Sequence, residues 1–342
     1  MPQLGVQSIK YSKPVHIISS ASVVGTKEGE GPLKELFDIV AEDDLLGCDN
    51  WEDGEGTFMQ EAVSLAMRKV KNTPKDIRYI FAGDLLAQSV ASSYSLISFE
   101  IPLFGIYGAC STCGEGLSLA SMTIEGGFAD KAMAVTSSHF ASAEKEFRFP
   151  LGYGNQRPLC ATWTVTGSGA FVLAGNTDKN SVYKHCVITG ITTGRIMDYG
   201  LKDNMNMGCC MAPAAADTIY HNLKDYKRMP EEYDRIITGD LGKVGQQALL
   251  DLLRDKGYDI ADRHMDCGIE IFDSTAQDTQ AGGSGCACAA VTLSAMILPK
   301  IESGEWKRVL FVPTGALLSK VSFNEGQTVP GIAHGVVIEH VD

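Results

Sequence analysis

The sequence of 342 residues predicts an α/β fold built from two duplicated halves, and three observations carry that prediction. Short apolar runs such as Val15 to Ile18, Met133 to Thr136 and Val309 to Val312 alternate with longer amphipathic segments, the pattern of stacked strand–helix–strand units. A long stretch of the first half recurs in register in the second. No Pro/Ser-rich linker separates the copies near residues 176–184, which argues for one compact body with halves at 1–178 and 179–342.

Taken in order, the first half opens with the strand around Val15 to Ile18 and continues into a helix carrying Glu61, Val63, Met67, Arg68 and Lys71. Pro74 stops that helix, and Pro74-Lys-Asp-Ile-Arg-Tyr-Ile-Phe-Ala-Gly-Asp-Leu85 leads into a buried strand. In the second half Asp217, Ile219, Leu223, Lys224 and Lys227 repeat the helix. Pro230-Glu-Glu-Tyr-Asp-Arg-Ile-Ile-Thr-Gly-Asp-Leu241 repeats the stop and the strand. A second match pairs Leu119-Ala-Ser-Met122 and the strand Ala132 to Thr136 with Leu293-Ser-Ala-Met296 and Leu310 to Thr314. Each copy reads as a helix that follows a Gly- and Cys-rich turn and leads into a strand.

Composition narrows the function. A 44% hydrophobic content supplies a large core, and a formal net charge of -13 excludes non-specific attraction to nucleic acid or to an anionic lipid surface. A small anionic ligand would need a locally basic site. The N-terminal stretch has no uninterrupted apolar run, and nothing approaches the roughly 20 apolar residues of a membrane span, so synthesis and retention in a cytosol are expected. There the 10 cysteines stay reduced and pack as small hydrophobes, and the adjacent pair Cys209 and Cys210 argues against a disulfide framework.

Chemistry concentrates at Tyr107-Gly-Ala-Cys-Ser-Thr-Cys-Gly-Glu-Gly116, between the apolar stretch Ile101 to Ile106 and the helix Leu117 to Ile124. Cys110 is thus expected on a strand-to-helix turn. Free backbone N–H groups and the helix dipole there would lower a thiol's pKa or hold a ligand carboxylate.

Gly-Ala-Cys110-Ser-Thr resembles the nucleophile turn of thiolases and ketoacyl synthases. Thr166-Gly-Ser-Gly-Ala170 and Gly282-Gly-Ser-Gly285 are similar to the glycine segments of that class. The resemblance implies a thiolase-like fold, a layered αβαβα body of two halves. It also implies two catalytic partners from the second half, and both are altered. Asp240 stands near the expected His position, where a carboxylate would oppose a thiolate or an oxyanion, and Thr279 stands where the second partner is expected. An acyl transferase would then need His139 as a substitute base for Cys110.

Longer strings resemble the stage V sporulation AD family within this class: Ala82-Gly-Asp-Leu-Leu86 with Gln88, Thr136-Ser-Ser-His139, Phe147-Arg-Phe-Pro150, Thr162-Trp-Thr-Val-Thr-Gly167, Pro313-Thr-Gly-Ala-Leu-Leu318 and Pro330-Gly-Ile-Ala-His334. That resemblance implies a catalytically inactive thiolase homologue. It would bind dipicolinic acid, alone or as its calcium chelate, and work with the membrane proteins of the SpoVA system, which takes dipicolinate into the developing spore and releases it at germination. The protein would then sit peripherally at the forespore or spore inner membrane. Thiolase-like proteins commonly dimerise through a first-half edge strand, here near Phe104 to Tyr107 or Ala132 to Thr136.

For a planar pyridine dicarboxylate, Cys110 and Ser111 would receive one carboxylate on backbone N–H groups, Arg148 or Arg157 the other, and Ser138 and His139 would line the ring. Asp240 and Thr279 complete the expected site, with no cofactor and no metal ligand. Ordinary alternatives stand beside these roles. Arg148 pairs with Glu144 or Glu146, Arg157 is a surface residue, His139 is a hydrogen-bonded core histidine, and the whole molecule is a non-binding scaffold for membrane partners.

Other motifs read as structural. The acidic run Glu42 to Glu55 departs from a calcium loop at Trp51 and Gln60. Cys110-x-x-Cys113 and Cys286-x-Cys288 lack zinc-ribbon spacing, and Gly282 to Gly285 lacks the Lys-Ser/Thr of a phosphate loop.

Overall fold

The computed structural model describes residues 2–147 and 156–342. The first half contributes strands β1 (Ser8–Val24), β2 (Tyr79–Gly83), β3 (Leu103–Gly105), β4 (Lys131–Ser138) and β5 (Gly167–Ala174). The second contributes β6 (Cys186–Thr192), β7 (Arg235–Thr238), β8 (His264–Asp266), β9 (Arg308–Val312) and β10 (Gly335–His340). Both halves use one strand order: third, second, fourth, fifth, first. In each, the fifth strand runs antiparallel to both of its neighbours. The halves join through antiparallel pairing of β1 with β6, from Ser8 opposite Thr192 to His16 opposite Val187.

The expected repeat is visible in its local details. Helix α1 (Trp51–Lys69) is capped by Asn50, whose side chain accepts from the backbone N–H of Glu52 and Asp53, and basic Arg68 and Lys69 close its last turn. Its counterpart is the helix Met207–Tyr226. The two Pro-marked stops become single 3-10 turns, Pro74–Asp76 and Pro230–Glu232. The acid at the end of each, Asp76 or Glu232, reaches back to the N–H of Thr73 or Met229. The recurring proline and acid therefore have a common job: they end a helix and aim the chain into a buried strand.

Side-chain alternation along the strands separates three apolar layers. Phe81, Ala132, Ala134, Phe171 and Leu173 from the first half, and Ile237, Val309 and Phe311 from the second, face a central layer. That layer holds the helix Thr112–Glu125 and the helix beginning at Cys286. Ile80, Met133, Val135 and Val172 face outward to α1. Ile236, Leu310 and Val312 face outward to Met207–Tyr226 and the helix Gly242–Asp255. This is the expected αβαβα layering. Each fully buried Phe at its centre contributes about 1.5–3 kcal/mol relative to exposure.

One expectation is corrected here. Ala132 to Thr136 offers no free edge, because β4 is hydrogen-bonded to β2 on one side and β5 on the other. Among the described residues, the open edge of the first half is β3, with Phe104 52% exposed. Among the described residues, no helix is long and apolar enough to cross a membrane.

Candidate functional site

Cys110 lies on the predicted strand-to-helix turn, between β3 and the helix Thr112–Glu125. The turn is tight. Ala109 adopts a positive φ of 49°, and Gly83 on the neighbouring strand leaves room for the chain, since a Cβ there would come 2.2 Å from the Ile106 carbonyl oxygen.

The Ser111 part of the expected carboxylate cradle is not free. The backbone N–H of Ser111 donates to the Gly108 carbonyl at 3.1 Å and that of Thr112 to the Ala109 carbonyl at 3.1 Å. The Ser111 hydroxyl donates to the Gly108 carbonyl at 2.6 Å. These groups close the turn on itself, so Ser111 is a buried structural residue and not an anion donor.

Asp240, at the end of β7, is the residue that meets Cys110. Its carboxylate accepts from the Thr314 hydroxyl at 2.6 Å and from the Gly285 N–H at 3.1 Å, and it lies beside the Cys110 thiol. Burial pushes the Asp240 carboxyl up to about 7. Burial, and then the Asp240 charge, push the Cys110 thiol well above its ordinary value. A thiol beside a carboxylate is held protonated, the reverse of a thiol beside an imidazolium.

Cys110 forms the floor of a cavity of about 370 Å³. One wall is the loop Leu85 to Ser89 after β2, and the opposite wall is formed by Ala316 and Leu318 with Met207 and Phe147. The loop is held by Asp84, whose carboxylate accepts from the N–H of Leu86 at 2.8 Å, and from the N–H and hydroxyl of Ser92 at 2.7 and 2.6 Å. Gln88 and Ser89 both take positive φ, so this wall is locally strained. Asp84 and Asp240 are the matching aspartates of the duplicated Gly-Asp-Leu. They end equivalent strands, one organising the cavity wall and the other its floor. The charged lining residues among those described are Glu146 and Lys320.

The other predicted site residues lie elsewhere. His139 is buried in the core, where its Nε2 donates to the Asp44 carbonyl at 2.8 Å and its Nδ1 accepts from the Ala141 N–H at 3.1 Å. That pairing fixes a neutral tautomer, burial holds its pKa below the ordinary value, and Trp51 packs on the ring at 5.4 Å. His139 therefore cannot serve as a base for Cys110. Ser138 donates to the Val165 carbonyl at 2.7 Å and accepts from the Ala287 N–H at 3.2 Å, pinning the end of β4 to the central helix.

Arg157 and Thr279 come together, but away from Cys110. Arg157 stacks on Trp163 at 4.2 Å and donates to the carbonyl of Asp278, the residue before Thr279; the Thr279 hydroxyl is buried. Neither lines the cavity. Arg148 lies outside the described residues.

Sequence reasoning missed Lys320, Glu146, Met207 and the apolar walls as site residues, although the strings Leu85-Leu86 with Gln88 and Ala316 to Leu318 were prominent in the resemblance. Among the described residues, no group of three or more His, Cys, Asp or Glu side chains is arranged to hold a metal ion. Cys286 and Cys288 instead donate to the backbone carbonyls of Ala109 and Gly239.

The fold is shared with acyl-condensing enzymes of known structure. The 3-oxoacyl-[acyl-carrier-protein] synthase III of Aquifex aeolicus VF5 superposes with a TM-score of 0.57 at 16% identity, covering 95% of this chain and 99% of that one. An OleA variant from Xanthomonas campestris gives 0.58 at 15% identity, covering 96% and 99%. At such identities the likeness shows the fold alone. Sequence similarity is closer to stage V sporulation protein AD of Bacillus subtilis (strain 168), 42% identical over 339 residues, covering 99% of this chain and 98% of that protein. The model of the family described as stage V sporulation protein AD (SpoVAD) matches residues 5–339, and the chain belongs to that family.

Proposed function

We propose that the cavity above Cys110 binds dipicolinate, pyridine-2,6-dicarboxylate, alone or as its calcium chelate, and that the chain does no acyl chemistry. Family membership makes this a sporulation protein. Within that role it would serve the SpoVA system as the ligand-binding component without membrane spans, docked at the membrane through its SpoVA partners and acting as a homodimer paired along β3.

The observation that carries this reading is the buried Asp240 carboxyl set beside Cys110 at the floor of a largely apolar cavity. The pocket of an acyl-transfer fold persists while its thiol faces a carboxyl, leaving a slot for a flat ring. Tyr107 and Phe147 offer the ring aromatic surface, and Lys320 offers a carboxylate its counter-charge. Lys320 takes the role that the sequence suggested for Arg157, which lies away from the cavity.

Calorimetric titration with dipicolinate, with and without calcium, tests the proposal, with pyridine-2-carboxylate as the control ligand. Saturable binding that weakens in Cys110→Ala and Lys320→Met but not in Arg157→Ala is expected. Absence of binding by the folded wild type would remove the ligand-binding reading in favour of a scaffold.

A further inference from the structure

Glu146 and Lys320 hold each other across the cavity. Glu146 sits near the end of the helix Phe140–Phe147 in the first half, and Lys320 begins the short helix Lys320–Asn324 in the second. The Lys320 Nζ lies 3.3 Å from one Glu146 carboxylate oxygen and 3.4 Å from the other. Both line the same cavity, and the remaining described lining residues, the protonated Cys110 thiol among them, carry no charge at neutral pH. An anion that enters therefore meets a lysine that already has a carboxylate.

We propose that Glu146 is an intramolecular occupant of the anion position: it clips the two halves together over the cavity, and an incoming carboxylate must displace it from Lys320. The proposal rests on the reading of this cavity as a dicarboxylate site. It makes Glu146 a residue that sets affinity and specificity by competition. Ligand binding then reports the difference between two carboxylates at one ammonium, and displacement of Glu146 frees one half from the other at the cavity mouth. The pair is half-exposed, with side chains 50% and 30% accessible, so it is weak enough to exchange.

The sign of the Glu146 effect separates this role from a simple wall contact. In titrations of the full chain with pyridine-2,6-dicarboxylate, Glu146→Gln is expected to tighten binding about fivefold, the scale of an exposed ion pair. Lys320→Met is expected to weaken binding by at least about fivefold, and adding Glu146→Gln to Lys320→Met to change nothing more. Unchanged or weaker binding by Glu146→Gln overturns the proposal. A second measurement needs no ligand: the acetylation rate of the Lys320 amine by an N-hydroxysuccinimide ester, followed by peptide mass spectrometry. It should rise in Glu146→Gln, and an unchanged rate overturns the clip. If no variant binds dicarboxylate yet the Lys320 rate responds to Glu146→Gln, the ligand reading falls and the clip between the halves stands.

Discussion

Asp240 sets a buried carboxyl beside the Cys110 thiol, and this one juxtaposition reverses the electrostatics of a nucleophile turn. A thiolate here would sit against a buried carboxylate, with the turn's own N–H groups of Ser111 and Thr112 already spent on Gly108 and Ala109. Alkylation of Cys110 by iodoacetamide near pH 8 should therefore be slower than that of the half-buried Cys48 and Cys209. Asp240→Asn, which removes the charge and keeps the shape, should speed Cys110 labelling by at least about threefold. Peptide-resolved mass spectrometry gives both rates. Cys110 labelling ahead of the other cysteines in the wild type would restore the acyl-transfer reading.

His139 belongs to the fold and not to the cavity. His139→Ala would leave the Asp44 carbonyl and the Ala141 N–H without their partners in a buried setting, at a cost of about 2–4 kcal/mol. Chemical denaturation should show that loss while dicarboxylate affinity stays within about twofold. A variant of undiminished stability that loses binding would place the imidazole in the site after all.

What was legible in the sequence was whatever local pattern and register could carry. The duplication announced itself because proline, acid and Gly-Asp-Leu do the same mechanical work in both halves. The Cys110 turn followed because it ends an element whose period and punctuation are clear, and Asp240 followed from the resemblance to thiolases and ketoacyl synthases. Asp84 stood in the same repeat, and its role at the cavity wall could have been read from Asp240 by symmetry. Other residues depended on distant partners with no sequence signature. His139 is claimed by the backbone of Asp44, and Arg157 by Trp163 and the Asp278 carbonyl. Lys320, a solvated lysine by every local criterion, reaches the cavity only because Ala316 to Lys320 folds back over the Cys110 turn.

Pairing of two copies along β3 would cover Leu103 and Phe104, whose exposure on an open strand edge is otherwise a liability. Phe104 also stacks on Phe81 at 5.2 Å within its own chain. Phe104→Lys should convert a dimer to a monomer in light scattering coupled to size exclusion, with the far-ultraviolet circular dichroism spectrum preserved. A wild type that is monomeric at tens of micromolar would dispose of the edge-strand dimer.

Buried carboxyls give the fold an unusual dependence on pH. Burial pushes Glu28 up to about 8, Asp240 to about 7 and Asp266 to about 6, and it raises Glu55, with the neighbouring Asp84 charge adding to the effect. Each stays protonated in the fold at pH values where the unfolded chain has lost the proton. Their stabilising contribution is therefore complete below the unfolded carboxyl range near pH 4 and is lost as pH climbs through about 6–8. His264 and His334 act in the opposite window. Burial brings both down to about 4, so their contribution is present above the unfolded imidazole value near 6.5 and is lost as pH falls toward about 4. Between about pH 6.5 and 8 the carboxyls alone set the slope, and Tm should fall steadily across that interval. Glu28→Gln, which keeps the hydrogen bond from the Thr166 N–H without a titrating group, should flatten the decline. A Tm that is level or rising over the same interval in the wild type would mean that these carboxyls are ionised in the folded protein, with partners or water reaching them that their burial now excludes.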